Sequence, residues 1–230
     1  MSSLRYLFFD VGHTLVTPDY RITHAPLHRH GFCPTAEQLR TTEIRTRHEM
    51  DARFLAGHAQ GIDVNYWNIY LDDLLPQLGA TGHRADASLK KELMALGRAA
   101  MNYTQVLPST GEALGALKGR YRLAVISNAD GMIRRLLEQV KLAHHFETIT
   151  DSAVVGFEKP APEIFRIALD SMGATAAESL YIGDVYSVDY AGATAVGMKA
   201  VLYDRMGTYD AMDVPRVSRL DQLEELILQL

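Results

Sequence analysis

Cysteine is the scarcest informative residue of this 230-residue chain: there is one, Cys33. It has no partner for an internal disulfide, so a disulfide-built fold is excluded and a reducing compartment is expected. A lone thiol of this kind reads as an incidental or small buried residue rather than a nucleophile. The chain also lacks a strong excess of either charge, with a formal net charge of −5. That balance gives no electrostatic reason to expect nucleic acid or an anionic membrane as partner. No apolar run approaches the ~20 residues of a spanning helix. The opening residues, Met1-Ser2-Ser3-Leu4-Arg5-Tyr6, lack the basic segment and apolar stretch of a signal peptide. A cytoplasmic location is therefore expected. There is no internal repeat and no low-complexity tract. What the chain does have is apolar residues, 47% of the total, enough to bury a sizeable core.

Those apolar residues change rhythm along the chain. Leu7, Phe8, Phe9 and Val11 are nearly consecutive, which predicts a strand over residues 5–11 buried on both faces. From residue 18 to 104 the spacing is helical. Thr35 or Pro34 opens a charged helix to about Leu55, stopped by Gly57. Trp67, Tyr70, Leu71, Leu74, Leu75 and Leu78 define a second helix, stopped by Gly79. Leu89, Leu93, Leu96, Ala100 and Tyr103 share one face of a third. After Pro108, helices and strands alternate. Strands are expected at 122–126, 146–150, 180–183 and 199–203. Helices are expected at 109–117, around 133–140, at 162–172, 191–196 and 220–230. That alternation argues for an α/β fold with a parallel, doubly wound sheet.

Chemistry-bearing residues fall at the strand ends: Asp10, then Ser127-Asn128, then Lys159 in a loop, then Asp184 with Asp189. One such residue alone usually caps the following helix. Four in order at one sheet edge point to a site, because ligands in open α/β sheets bind beyond the carboxyl ends of the strands. A carboxylate can attack phosphorus or carbon and form a covalent intermediate. Phosphoryl transfer needs positive charge at the non-bridging oxygens, and Lys159 supplies one. Asp10, Asp184 and Asp189 make an all-oxygen set suited to Mg²⁺.

With these residues in order, the chain resembles the haloacid dehalogenase-like hydrolase superfamily. Four motifs carry the resemblance: Asp10 to Thr14, Ser127-Asn128, Lys159 within Gly156-Phe157-Glu158-Lys159-Pro160, and Gly183-Asp184 with Asp189. The resemblance implies a Rossmann-like three-layer core with a parallel sheet, from residues 1–17 and 105–230. It implies an all-helical cap, residues 18–104, inserted after the first motif. Asp10 is then the nucleophile, and Ser127 with Asn128 binds phosphate. Lys159 steadies nucleophile and phosphate, and Asp184 holds Mg²⁺ with Asp189 close by. The Gly12 carbonyl becomes a further metal ligand.

One position departs from the pattern. Most phosphatases of the family carry a second Asp two residues after the nucleophile, as general acid and base, and here that residue is Gly12. Dehalogenases of the family also lack this Asp, yet they lack the metal-binding fourth motif that this chain keeps. His13 could donate the proton instead, since imidazole titrates near neutrality; the simpler reading places it in a turn facing solvent or the cap. The expected function is a Mg²⁺-dependent phosphatase of a small phosphorylated metabolite, acting through an aspartyl-phosphate either slowly or with a preference for esters with good leaving groups. The alternatives are a metal-independent 2-haloacid dehalogenase and a catalytically silent phosphate-binding protein. The cap histidines His24, His28, His30, His48, His58 and His83 show no zinc-ligand pattern, and Arg45 and Arg47 read first as a solvated helix face.

Overall fold

A computed structural model describes residues 4–55 and 64–230. Gly57, expected to stop a helix, and His58, among the histidines expected in a cap, lie outside them. The chain divides into two compact units, 1–17 with 103–230 and 18–102. The second division falls two residues before the return expected at 105.

The first unit is built on a six-stranded parallel sheet. Its strands are β1 (Tyr6–Phe9), β4 (Arg122–Ser127), β5 (Thr148–Asp151), β6 (Ser179–Gly183), β7 (Lys199–Tyr203) and β8 (Arg216–Val217). Two further short strands, β2 (Val16–Thr17) and β3 (Gln105–Val106), pair antiparallel in a separate ribbon. The sheet order is β5-β4-β1-β6-β7-β8. β1 therefore lies between β4 and β6, with Phe9 opposite Val125 on one side and Ile182 on the other. All four residues of β1 are buried, as a central strand covered by helices on both faces requires.

The Pro162–Met172 helix starts on proline, whose fixed φ suits a first helical position, and ends at Gly173. Its Ile164, Phe165, Ala168, Leu169 and Met172 pack against Phe8, Ala124, Ile126 and Tyr181 of the sheet. Lys199–Tyr203 forms the strand expected there, and the strand expected over 146–150 begins two residues later and ends one later, at Thr148–Asp151. β8 and the β2–β3 ribbon were not expected. Two-residue strands carry too little hydrophobic periodicity to register in sequence.

Among its described residues the second unit is entirely helical. Thr35 and Gln38 form a reciprocal capping box at the start of the Ala36–Leu55 helix, at 3.1 and 2.8 Å. The Val64–Gln77 and Ala87–Arg98 helices follow, the latter capped by Asp86 on the Leu89 amide. Leu39, Met50, Tyr70, Leu71, Leu74, Leu75, Leu89 and Leu93 form a core of their own. Trp67 packs so close to Gly97 that a Cβ there would stand 2.9 Å from its ring. No helix of the described residues is long and apolar enough to cross a membrane.

Candidate active site

Three strand ends build the site, all in the first unit. β1 delivers Asp10, held by its amide on the Ile182 carbonyl at 2.9 Å. β6 delivers Gly183 and Asp184, and the following turn returns Asp189 against Gly183. A Cβ on Gly183 would lie 2.4 Å from the Asp189 carboxyl carbon, so only glycine leaves room for Asp189. β4 ends on Ser127, buried at 3% exposure on the strand beside β1.

Lys159 arrives from the loop after β5. Gly156, with φ 79°, takes the left-handed conformation that closes the preceding Ser152–Val155 turn of helix. The Lys159 ammonium donates to Asp10 Oδ1 at 2.7 Å and to Asp189 Oδ1 at 2.7 Å. Its residue is 3% exposed, so the charge is held by partners rather than by water. Asp10, Asp184 and Asp189 bring one carboxylate oxygen each to within 4.8 Å of one another. Burial pushes the Asp10 carboxyl up; the Lys159 charge opposes the rise and the Asp189 charge adds to it. Burial alone would lower Lys159, but the charges of Asp10 and Asp189 reverse that and leave it above the ordinary lysine range.

The expected residues do not all converge in the same way. Asn128 engages the lysine loop through its side-chain amide. Its Nδ2 donates to the Lys159 carbonyl at 2.9 Å, and its Oδ1 accepts from the Lys159 amide at 2.7 Å. The residue expected to bind phosphate thus also clamps the lysine loop, through one of its two amide N–H bonds and its carbonyl oxygen.

His13 has φ 61°, uncommon outside glycine and most often seen in turns. Its amide donates to Val16 O. The turn reading holds for its backbone, but the side chain does not face solvent. It is buried, with its ring edge-on to Tyr103 at 5.7 Å. The same Tyr103 ring lies beside Gly12, 3.6 Å from where a Cβ would stand. Thr14 donates to Asp10 Oδ2 at 3.5 Å, the long limit for a hydrogen bond. In the second unit, Arg45 donates to Gln77 at 2.8 Å, which fits the helix-face reading.

Two features escaped the sequence. Asp151, at the end of β5, accepts from the amides of Gly131, Ile133 and Ala153. Ser152 accepts from the Ala129 amide and donates to the Ala129 carbonyl. Together they fix the loop after Ser127. An aspartate at a fourth strand end was the available signal. The second feature is Tyr181, whose hydroxyl meets Lys159, Asp189 and the Ile126 carbonyl. It sits inside an apolar strand run, where a tyrosine reads as core.

A Rossmann-like sheet with an aspartate clamped to a buried lysine at its carboxyl edge defines an α/β enzyme core. The chain belongs to the haloacid dehalogenase-like hydrolases, whose family model matches residues 4–197. It is 31% identical over 209 residues to haloacid dehalogenase-like hydrolase domain-containing protein 3 of Xenopus laevis, covering 87% of this chain and 84% of that one. A shorter match to the Bos taurus protein of the same name is 41% identical over 99 residues, and spans 43% of this chain but only 39% of that protein. Glyceraldehyde 3-phosphate phosphatase of Methanothermobacter thermautotrophicus is 34% identical over 131 residues, covering 52% of this chain and 58% of that protein. Among solved structures, the hydrolase YfnB of Bacillus subtilis, bound to magnesium, shares the fold with a TM-score of 0.71 at 19% identity, covering 98% of this chain and 99% of that one. The protein is a hydrolase of this family.

Proposed function

We propose that the protein is a Mg²⁺-dependent phosphatase of a small phosphorylated metabolite, with Asp10 as nucleophile and residues 18–102 as a helical cap. The observation that carries this reading is the cluster of Asp10, Asp184 and Asp189 beside the ammonium of Lys159. The three carboxylates bring an oxygen each to one place, and an all-oxygen set of this kind suits a divalent cation. That ligand set favours a metal-dependent phosphatase over a metal-free dehalogenase. The phosphatase name of the archaeal relative supports the same direction.

In this reading the Asp10 carboxylate attacks phosphorus, the ester oxygen leaves, and water then cleaves the aspartyl-phosphate to release orthophosphate. Lys159 fixes Asp10 for attack. Ser127 and the loop held by Asp151 and Ser152 face the phosphate oxygens. Asp10, Asp184 and the Gly12 carbonyl would hold the metal. Asp189 contributes mainly its charge, because its oxygens already accept from Lys159, Tyr181 and the Val185 amide. When bound, Mg²⁺ supplies positive charge against the phosphate oxygens. No side chain at Gly12 delivers a proton to the departing oxygen, so esters with good leaving groups are the preferred substrates.

Hydrolysis of p-nitrophenyl phosphate tests this. It should require Mg²⁺, stop with chelator, and fall roughly a thousandfold or more in Asp10→Asn. Halide release from a 2-haloacid in the presence of chelator would replace the phosphatase reading with the dehalogenase one. Retained phosphate binding without turnover would make the protein a binding module. Gly12→Asp sharpens the reading, since the new Cβ would meet Tyr103 at ordinary contact distances of 3.6 and 3.8 Å. Hydrolysis of an alkyl phosphate should rise by roughly 10²-fold if a missing proton donor is what limits turnover.

A further inference from the structure

An ammonium has three N–H bonds, and in this site three acceptors take all of them. Lys159 Nζ reaches Asp10 Oδ1 at 2.7 Å, Asp189 Oδ1 at 2.7 Å and Tyr181 Oη at 2.8 Å. Tyr181 is itself fully buried. Its ring stands edge-on to Phe165 at 5.4 Å, and its hydroxyl lies 3.1 Å from the Ile126 carbonyl on β4. The phenol is thus fixed from two sides. Its single proton goes to Ile126 O or Asp189 Oδ1, which leaves its lone pairs to receive Lys159.

We propose that Tyr181 is a positioning residue of the hydrolytic centre. Its hydroxyl takes the third Lys159 proton and so aims the ammonium at Asp10 and Asp189, away from the substrate. This rests on the reading of Asp10 as nucleophile. It also narrows the role that the family resemblance implies for Lys159. In this chain the lysine steadies the nucleophile, while the phosphate oxygens depend on Ser127, the adjoining loop amides and the metal. Removing the hydroxyl leaves three protons for two acceptors. The third then turns toward water or a phosphate oxygen, and Asp10 is held less firmly.

Tyr181→Phe removes the hydroxyl and keeps the ring against Phe165. In the Mg²⁺-loaded enzyme, kcat for p-nitrophenyl phosphate should fall roughly tenfold, the scale of one hydrogen bond to a charged group. Orthophosphate should inhibit several-fold more tightly, because the released N–H now finds a phosphate oxygen. A merely structural lesion lowers kcat without tightening orthophosphate, so an unchanged or weakened inhibition constant overturns the proposal, as does an unchanged kcat. A second readout does not need turnover. In ¹⁵N-labelled protein, the protected ammonium resonance that disappears in Lys159→Met should shift or be lost to exchange in Tyr181→Phe, while the amide spectrum stays folded. An unmoved resonance also overturns the proposal. Absence of Asp10-dependent hydrolysis in the wild type would overturn the phosphatase reading instead, and the resonance alone would then decide whether Tyr181 holds Lys159.

Discussion

Each unit buries a carboxylate, and the two are treated differently. In the first unit, Asp10 and Asp189 share the Lys159 ammonium at 2.7 Å each. In the second, Glu43 is just as inaccessible, but it accepts from two phenols, Tyr20 at 2.7 Å and Tyr70 at 3.1 Å. His24 packs tilted against Tyr20 at 5.3 Å, with its Nδ1 2.8 Å from the Thr23 hydroxyl. A cation keeps a carboxylate charged and places a second formal charge beside it, which is the raw material of phosphoryl chemistry. Neutral hydroxyls satisfy lone pairs and add no charge, which suits holding helices together. Burial alone therefore does not mark a reactive acid. The partner does.

The comparison breaks most sharply at Lys159. Lys159→Met strands two buried carboxylates, and loss of one partner of such a pair costs about 3–5 kcal/mol. Urea denaturation should show a loss of that size together with abolished hydrolysis. Full stability in the variant would mean that the charge is not held as the distances imply. In the second unit the matching change is milder. Tyr70→Phe leaves Glu43 with one phenol fewer and should cost about 1–3 kcal/mol, with Asp10 chemistry on p-nitrophenyl phosphate retained. A tenfold loss of kcat in that variant would erase the distinction drawn between the two clusters.

The smallest effect is one of pH. Burial pulls the His24 imidazole down, more than the nearby Glu43 charge raises it. The unfolded chain then binds a proton more readily than the fold. The resulting stability is fully present above the ordinary imidazole value of about 6.5 and is lost as pH falls through the lower folded value. Urea midpoints taken from pH 7.5 downward should decline more steeply for the wild type than for His24→Gln; parallel declines would remove His24 from the account.

The same contrast explains what could be read from the chain. Strand ends announce themselves because an apolar run stops at a polar residue, so Asp10, Ser127, Lys159 and Asp184 were legible as one edge. The family resemblance ranked their roles. Glu43 offered no such signal, since a lone acid on a charged helix looks solvated until Tyr20 and Tyr70 fold over it. Tyr181 was hidden for the opposite reason, as an aromatic within an apolar strand. Asn128 was legible as a site residue but not as a clamp, because only the fold shows that the Lys159 backbone lies opposite its amide.

The placement of β1 has a consequence for how the protein is made. This strand leads to Asp10 and is made before the helical unit, yet both of its sheet partners, β4 and β6, lie beyond that whole unit in the chain. Until those segments are synthesised, Phe8 and Phe9 have no sheet to enter. A product cut short before Arg122 would hold Asp10 but neither neighbouring strand. The helical unit, whose contacts are local, can fold while β1 waits. Such a chain gains hydrolytic competence only once β6 has been made, and fragments released earlier carry an adhesive strand and no active centre.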